Sequence, residues 1–156
     1  MKLLVPVDGS AASINAVKKA LEIARKYGAD IKLITVVDPD HYLRFMRNDE
    51  IWSHVDRKRI EEDSGAVARM EESSYKLLDA IVEKLDFNGI RAEREVLLGE
   101  PHIRILEDAE KEMADVIIIG NRGFSKIKRF FLGSVAQRVI SEAKCPVLVI
   151  HSETEY

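Results

Sequence analysis

A single cysteine, Cys145, stands in a chain of 156 residues. No intrachain disulfide can form, so a reducing, cytoplasmic setting is expected. Cys145 itself reads as a small buried hydrophobe rather than a nucleophile. Long apolar runs are also missing: none approaches the roughly 20 residues of a membrane span, and no cationic, signal-like segment precedes the first apolar stretch. Nor does one sign of charge dominate. The 24 Lys+Arg and 27 Asp+Glu leave a net charge of -3, which argues against a general nucleic-acid or membrane-surface binder. His41, His54, His102 and His151 are scattered without metal-ligand spacing. No Ser-His-Asp or Cys-His set assembles, and both G-x-x-x-x-G-K-[ST] and G-x-G-x-x-G are absent, which removes the P-loop and the dinucleotide fingerprint.

What is present is a regular alternation of apolar runs and helical periodicity. Lys2 to Val7 is a short apolar strand, and Asp8-Gly9-Ser10 is a turn able to start a helix. Ile14, Val17, Ala20, Leu21 and Ala24 recur at helical spacing up to Gly28, a C-terminal stop. Further strands are predicted over Ile31 to Val37, Arg91 to Leu97, Asp115 to Ile119 and Pro146 to Ile150. Between them lie helices over Glu100 to Met113, with Pro101 in the first turn, and over Ser134 to Glu142. Another helix has a packing face of Met70, Leu77, Leu78, Ile81, Val82 and Leu85. Residues 38–69 fit the repeat poorly, because Glu61-Glu62-Asp63-Ser64-Gly65 breaks any apolar stripe; they read as a variable segment of solvated loop and helix.

Strands alternating with helices predict a single α/β domain over residues 1–151, with 152–156 as a tail. The expected architecture is an open five-stranded parallel sheet in three α/β/α layers, Rossmann-like, with strand order 3-2-1-4-5. The charged third strand reads as one edge. The last strand, with Val147, Leu148, Val149 and Ile150, reads as an apolar opposite edge that invites pairing with a second copy, the alternative being that the C-terminal tail or a helix covers it. In such a sheet the ligand crevice lies where strand order reverses, between the first and fourth strands. The loops there are Val7-Asp8-Gly9 and the stretch GNRGFSKIKRFFLGS from Gly120 to Ser134.

That stretch contains Gly120, Gly123, nine residues, then Gly133 and Ser134. Glycines permit positive φ and close backbone approach to a ligand. Ser134 and Gln137 form a Ser-x-x-Gln capping pattern, so unpaired helix N–H groups gather beside Gly133, where an anion is stabilised. Arg122, Lys126, Lys128 and Arg129 add positive potential. The physical reading is a phosphate cradle. Asp8 has two open roles, ligand contact or satisfaction of the first helix terminus, and Ser10 and Ser13 read as helix-start residues.

The spacing G-x2-G-x9-G-S after an apolar strand, the VPVDGS of Val5 to Ser10 and the CPVLVI of Cys145 to Ile150 resemble the universal stress protein family, in its ATP-binding branch. The likeness covers nearly the whole chain apart from residues 38–69. It implies a five-stranded α/β fold of the adenine nucleotide alpha hydrolase type and a homodimer formed through the last strand. It also implies that Pro6, Val7 and Asp8 lie beside the adenosine and that Val36 lines the adenine pocket. Ile119, Gly120, Arg122, Gly123, Gly133, Ser134 and Val135 would surround ribose and phosphates. ATP would carry a divalent ion, Mg²⁺, held mainly by its phosphates. The function implied is a nucleotide-dependent regulator or sensor in stress response, acting on an unidentified protein partner. A slow ATPase or phosphotransferase assisted by Asp8 or by a carboxylate from the variable segment, and a scaffold dimer that binds no nucleotide, are the alternatives.

Overall fold

In the computed structural model, residues 1–40, 64–123 and 132–152 are described. Chain order runs β1 (Lys2–Pro6), α1 (Ala11–Tyr27), β2 (Asp30–Val37), α2 (Ser64–Lys84), β3 (Ala92–Leu98), α3 (Pro101–Lys111), β4 (Val116–Gly120), α4 (Ser134–Glu142) and β5 (Val147–Ile150). The strands pair in parallel as β3-β2-β1-β4-β5, the expected 3-2-1-4-5 order. The reversal therefore falls between β1 and β4, whose C-terminal ends lead into the two loops singled out above.

Period-two alternation splits the sheet's side chains between two cores. Leu3, Val5, Leu33 and Ile118 meet Val17, Leu21 and Leu78 on one side. Leu4, Ile34 and Ile117 meet Ile105, Ala109 and Val139 on the other. Central strands β1, β2 and β4 are buried on both faces, as their near-continuous apolar runs require.

Local signals explain the helix ends. Ser10 is the N-cap of α1, accepting from the Ser13 amide, and Gly28 ends the helix in the left-handed region at φ 67, its N–H bonded to the Ala24 carbonyl. Pro101 opens α3, where its missing N–H costs no intrahelical bond. Helix α2 begins at Ser64, ahead of the packing face read from Met70 onward. The rest of the variable segment, 41–63, lies outside the described residues.

Two expectations are corrected. Cys145 is only partly buried; burial nevertheless pushes its thiol pKa up, which disfavours the reactive thiolate. And the cap of α4 is Gly133 rather than Ser134: Gly133 is extended (φ -63, ψ 152), Ser134 is already helical, and no side chain caps the terminus. Gln137 instead donates Nε2 to the Leu132 carbonyl at 3.0 Å.

A buried ionic cluster fastens the sheet to α3. Lys32, in the middle of β2, is 2 % exposed. Its Nζ donates to Glu95 at 2.5 Å, Asp108 at 2.8 Å and Glu112 at 2.9 Å. Glu112 also accepts from Lys2 of β1 at 2.5 Å. The three carboxylates lie close enough to hold a metal ion, but the Lys32 ammonium already stands among them. Burial would lower the pKa of Lys32; its hydrogen bonds to Asp108, Glu95 and Glu112 override that and hold the group above the usual lysine value. Glu112 is lowered to about 2, by its hydrogen bond from Lys2 and then that from Lys32. Its folded pKa is below the ordinary value of about 4.3, so the stabilisation is complete above that value and lost as pH falls through about 2. Thermal melts between pH 5 and 2 are expected to show a loss on the order of 3 kcal/mol that Glu112→Gln largely removes from the pH profile. Parallel profiles for the two proteins would overturn this assignment.

Candidate functional site

The loops after β1 and β4 meet at a cavity of about 580 Å³. Its first wall is Pro6, Val7 and Asp8, with Val36 at the end of β2. The opposite wall is Ile119, Gly120, Arg122 and Gly123, and the floor is Gly133, Ser134 and Val135 at the start of α4. Every site residue named from the sequence lines this one cavity, except the loop cations Lys126, Lys128 and Arg129, which lie outside the described residues.

The β1 loop is held tightly. Val7 donates its N–H to the Ile34 carbonyl at 2.8 Å, and its own carbonyl accepts from Thr35 Oγ1 at 2.9 Å, so β2 fixes the loop's exit. Asp8 Oδ1 accepts from the Ser10 amide at 2.9 Å and from Ser10 Oγ at 2.5 Å, with Gly9 turning at φ 85 between them. One Asp8 oxygen steadies the start of α1, and the residue also lines the cavity.

The motif glycines are explained by crowding, not by positive φ. None of Gly120, Gly123 and Gly133 is in the left-handed region. A Cβ on Gly120 would lie 2.8 Å from the backbone carbon of Ala12 and 2.9 Å from the Ser13 amide, so its absence lets β4 pack on the first turn of α1. A Cβ on Gly123 would stand 2.6 Å from Asp8 Oδ2. One on Gly133 would be 3.2 Å from Arg122 Cα. The three positions bring α1, the Asp8 carboxylate and the β4 loop together around the cavity. The Gly133 amide then donates to the Asn121 carbonyl at 2.7 Å, tying the two ends of the loop.

With Gly133 as cap and no side-chain oxygen on the terminus, the first N–H groups of α4 are left for a ligand or water. Ser134, Val135 and Ala136 line the cavity at that point, so the positive end of the helix dipole faces it. Arg122 lines it too, with Nη2 donating to Ser152 Oγ at 3.3 Å.

Sequence reasoning missed Ser13, Ile34, Pro101, Ile105, Leu132, Ala136 and Gln137 among the lining residues. Ala136 and Gln137 were recoverable as the rest of the α4 first turn. Ile34 and Ile105 carry no signal of their own, being core residues whose edges also wall the cavity.

The sequence profile of the universal stress protein family matches residues 1–151. The chain belongs to the universal stress protein family. Universal stress protein MJ0531 of Methanocaldococcus jannaschii is 34% identical over 149 residues, covering 96% of this chain and 81% of the relative. Universal stress protein YxiE of Bacillus subtilis is 27% identical, covering 96% and 97% respectively. Among solved structures, MJ0577 of Methanocaldococcus jannaschii superimposes with a TM-score of 0.79 at 26% identity, covering 99% of this chain and 97% of that one. A universal stress protein solved in complex with cAMP shares the fold, with a TM-score of 0.60 at 24% identity and 98% of each chain covered. Among the described residues of this universal stress protein, no helix is long and apolar enough to cross a membrane.

Proposed function

We propose that this universal stress protein binds ATP in the cavity between β1 and β4 and serves as a nucleotide-dependent regulator in stress response. The observation that carries the reading is the uncapped N-terminus of α4 opening into a cavity of about 580 Å³, a volume within the roughly 300–1,000 Å³ of small-molecule sites. Phosphates would take the free N–H groups beside Gly133 and Ser134, and the mainly apolar end near Val36 would take the adenine. Mg²⁺ would be held by the phosphates, since Asp8 is the one carboxylate among the described lining residues. The same residue weighs against turnover. Asp8 Oδ1 already accepts two bonds from Ser10, and no imidazole lines the cavity among the described residues to act as a base. Occupancy rather than hydrolysis is the signal, read by a protein partner in the cytoplasm.

The test is to denature the purified protein, identify any released nucleotide by mass spectrometry, and melt the protein with and without Mg-ATP. At a hundredfold excess over Kd, ATP is expected to add about 2.7 kcal/mol, a rise of roughly 5–11 °C in Tm. An empty protein whose melting ignores ATP, ADP and AMP would overturn the reading in favour of the scaffold dimer.

The reading includes a homodimer. Strand β5 is at the sheet edge, and Leu148 is 37% exposed there. An apolar edge with unpaired backbone groups is stabilised by pairing with its counterpart in a second copy. Leu148→Lys is expected to convert a dimer seen by light scattering into a monomer at micromolar concentration. A wild-type monomer, or a dimer indifferent to the lysine, would sink this part.

A further inference from the structure

A second cavity, of about 960 Å³, adjoins the first and shares Val36, Pro101, Ser134 and Val135 with it. Its floor is apolar, with Val37 of β2 and Ala66 and Met70 of α2. Its polar lining is Asp38, Arg69, Ser73 and Ser74 together with Glu100, His102 and Arg138. The polar side of this cavity is built. His102 is only 6% exposed; its Nε2 is 3.3 Å from Arg138 Nη1 and its Nδ1 is 3.2 Å from Glu100 Oε1. A guanidinium can only donate, so Nε2 accepts, and the proton sits on Nδ1 and faces Glu100. The neutral imidazole thereby holds Arg138 in place, one helical turn below Ser134 on the same face of α4.

We infer that the two cavities form one bipartite site, and that its ligand class is the dinucleoside polyphosphates. The inference rests on the nucleotide reading of the first cavity. One adenosine occupies that cavity, the phosphate chain crosses Ser134, and the second nucleoside lies over the Val37, Ala66 and Met70 floor. The chemistry of the rim chooses a nucleoside over another anionic group. Among the described residues Arg138 stands 3.9 Å from the Glu100 carboxylate, which offsets its charge, so a terminal phosphate gains little net attraction from it. A base and ribose instead find the Glu100 carboxylate and the Ser73 and Ser74 hydroxyls for their N–H and O–H donors, and the Arg138 guanidinium plane on which a base stacks. The cavity's volume is ample for such a group.

The test compares Mg-ATP with diadenosine tetraphosphate by titration calorimetry on the intact protein. The dinucleotide is expected to bind at one site per chain, in competition with ATP and at least tenfold more tightly, well beyond the twofold its two equivalent ends supply. Ser73→Trp fills the second cavity from an exposed position on α2, and Arg138→Met removes the guanidinium; neither residue lines the first cavity. Each variant is expected to bring the dinucleotide to within about twofold of ATP and to leave ATP affinity unchanged. If ATP binds and the dinucleotide gains nothing, or if the gain survives both variants, this inference falls and the nucleotide reading stands. If neither ligand binds, both fall.

Discussion

Replacing Lys32 by methionine is expected to destabilise the fold by about 3–5 kcal/mol, lowering Tm by roughly 6–20 °C, although the substitution puts an apolar side chain of similar length into an apolar strand. The reason lies in what is left behind. Asp108 is 4% exposed, and only one of its oxygens is hydrogen-bonded, to Lys32. Without the ammonium, Asp108, Glu95 and Glu112 are left as neighbouring carboxylates with one fewer cation, and desolvation of Asp108 has no compensation. They would relieve the repulsion by taking up protons, so the variant's stability should improve towards acid while the wild type's declines. That opposite pH slope separates a broken ionic cluster from a packing defect. A second comparison isolates the cost of the unpaired charge. Lys32→Met combined with Asp108→Leu should recover much of the loss, because a packed apolar pair is often as stable as a buried ion pair. A single variant as stable as wild type, measured by denaturant unfolding, would show that the cluster contributes nothing net.

Lys32 also shows where sequence reading runs out. In IKLITVV a lone lysine gives no sign of being buried, since its partners come from β3 and from α3, 76 residues away in the case of Asp108. Features set by neighbours along the chain were legible: Ser10 as a cap, Gly28 as a stop and Pro101 in a first turn. The three glycines of the cavity wall were legible as a spacing but not in their physical cause. Nothing local says that Gly120 is required by the backbone of Ala12, or Gly123 by Asp8, because those contacts exist only once β1 and β4 are adjacent. The misread cap at Ser134 has a similar origin. The Ser-x-x-Gln pattern fits a capping box, yet the Gly133 amide is bound to the Asn121 carbonyl, and that bond holds Gly133 extended at the cap position.

Gly123→Val is expected to reduce ATP affinity at least a hundredfold, about 2.8 kcal/mol, with little loss of fold stability. Its Cβ would sit 2.6 Å from Asp8 Oδ2, inside van der Waals contact, so the carboxylate or the loop must move. The carboxylate cannot swing freely, because Oδ1 is fixed by the Ser10 amide and hydroxyl at the start of α1. The loop is the softer element and would withdraw, taking Arg122 and Gly123 from the cavity wall. Loss of one or two charge-assisted hydrogen bonds, at about 1.5–3 kcal/mol each, accounts for the expected magnitude. Gly120→Val is the contrasting variant. It drives a side chain against the backbone of Ala12 and Ser13, so it should lower Tm as well as affinity. Gly123→Ala with Asp8→Asn then tests the contact itself. Asp8→Asn alone keeps the shape and removes the charge, so it is the reference: an equal affinity in the double variant assigns the alanine effect to charge, and a further loss assigns it to shape. Calorimetry beside thermal melts resolves all of these outcomes, and ATP affinity unchanged in Gly123→Val would remove the β4 loop from the nucleotide site.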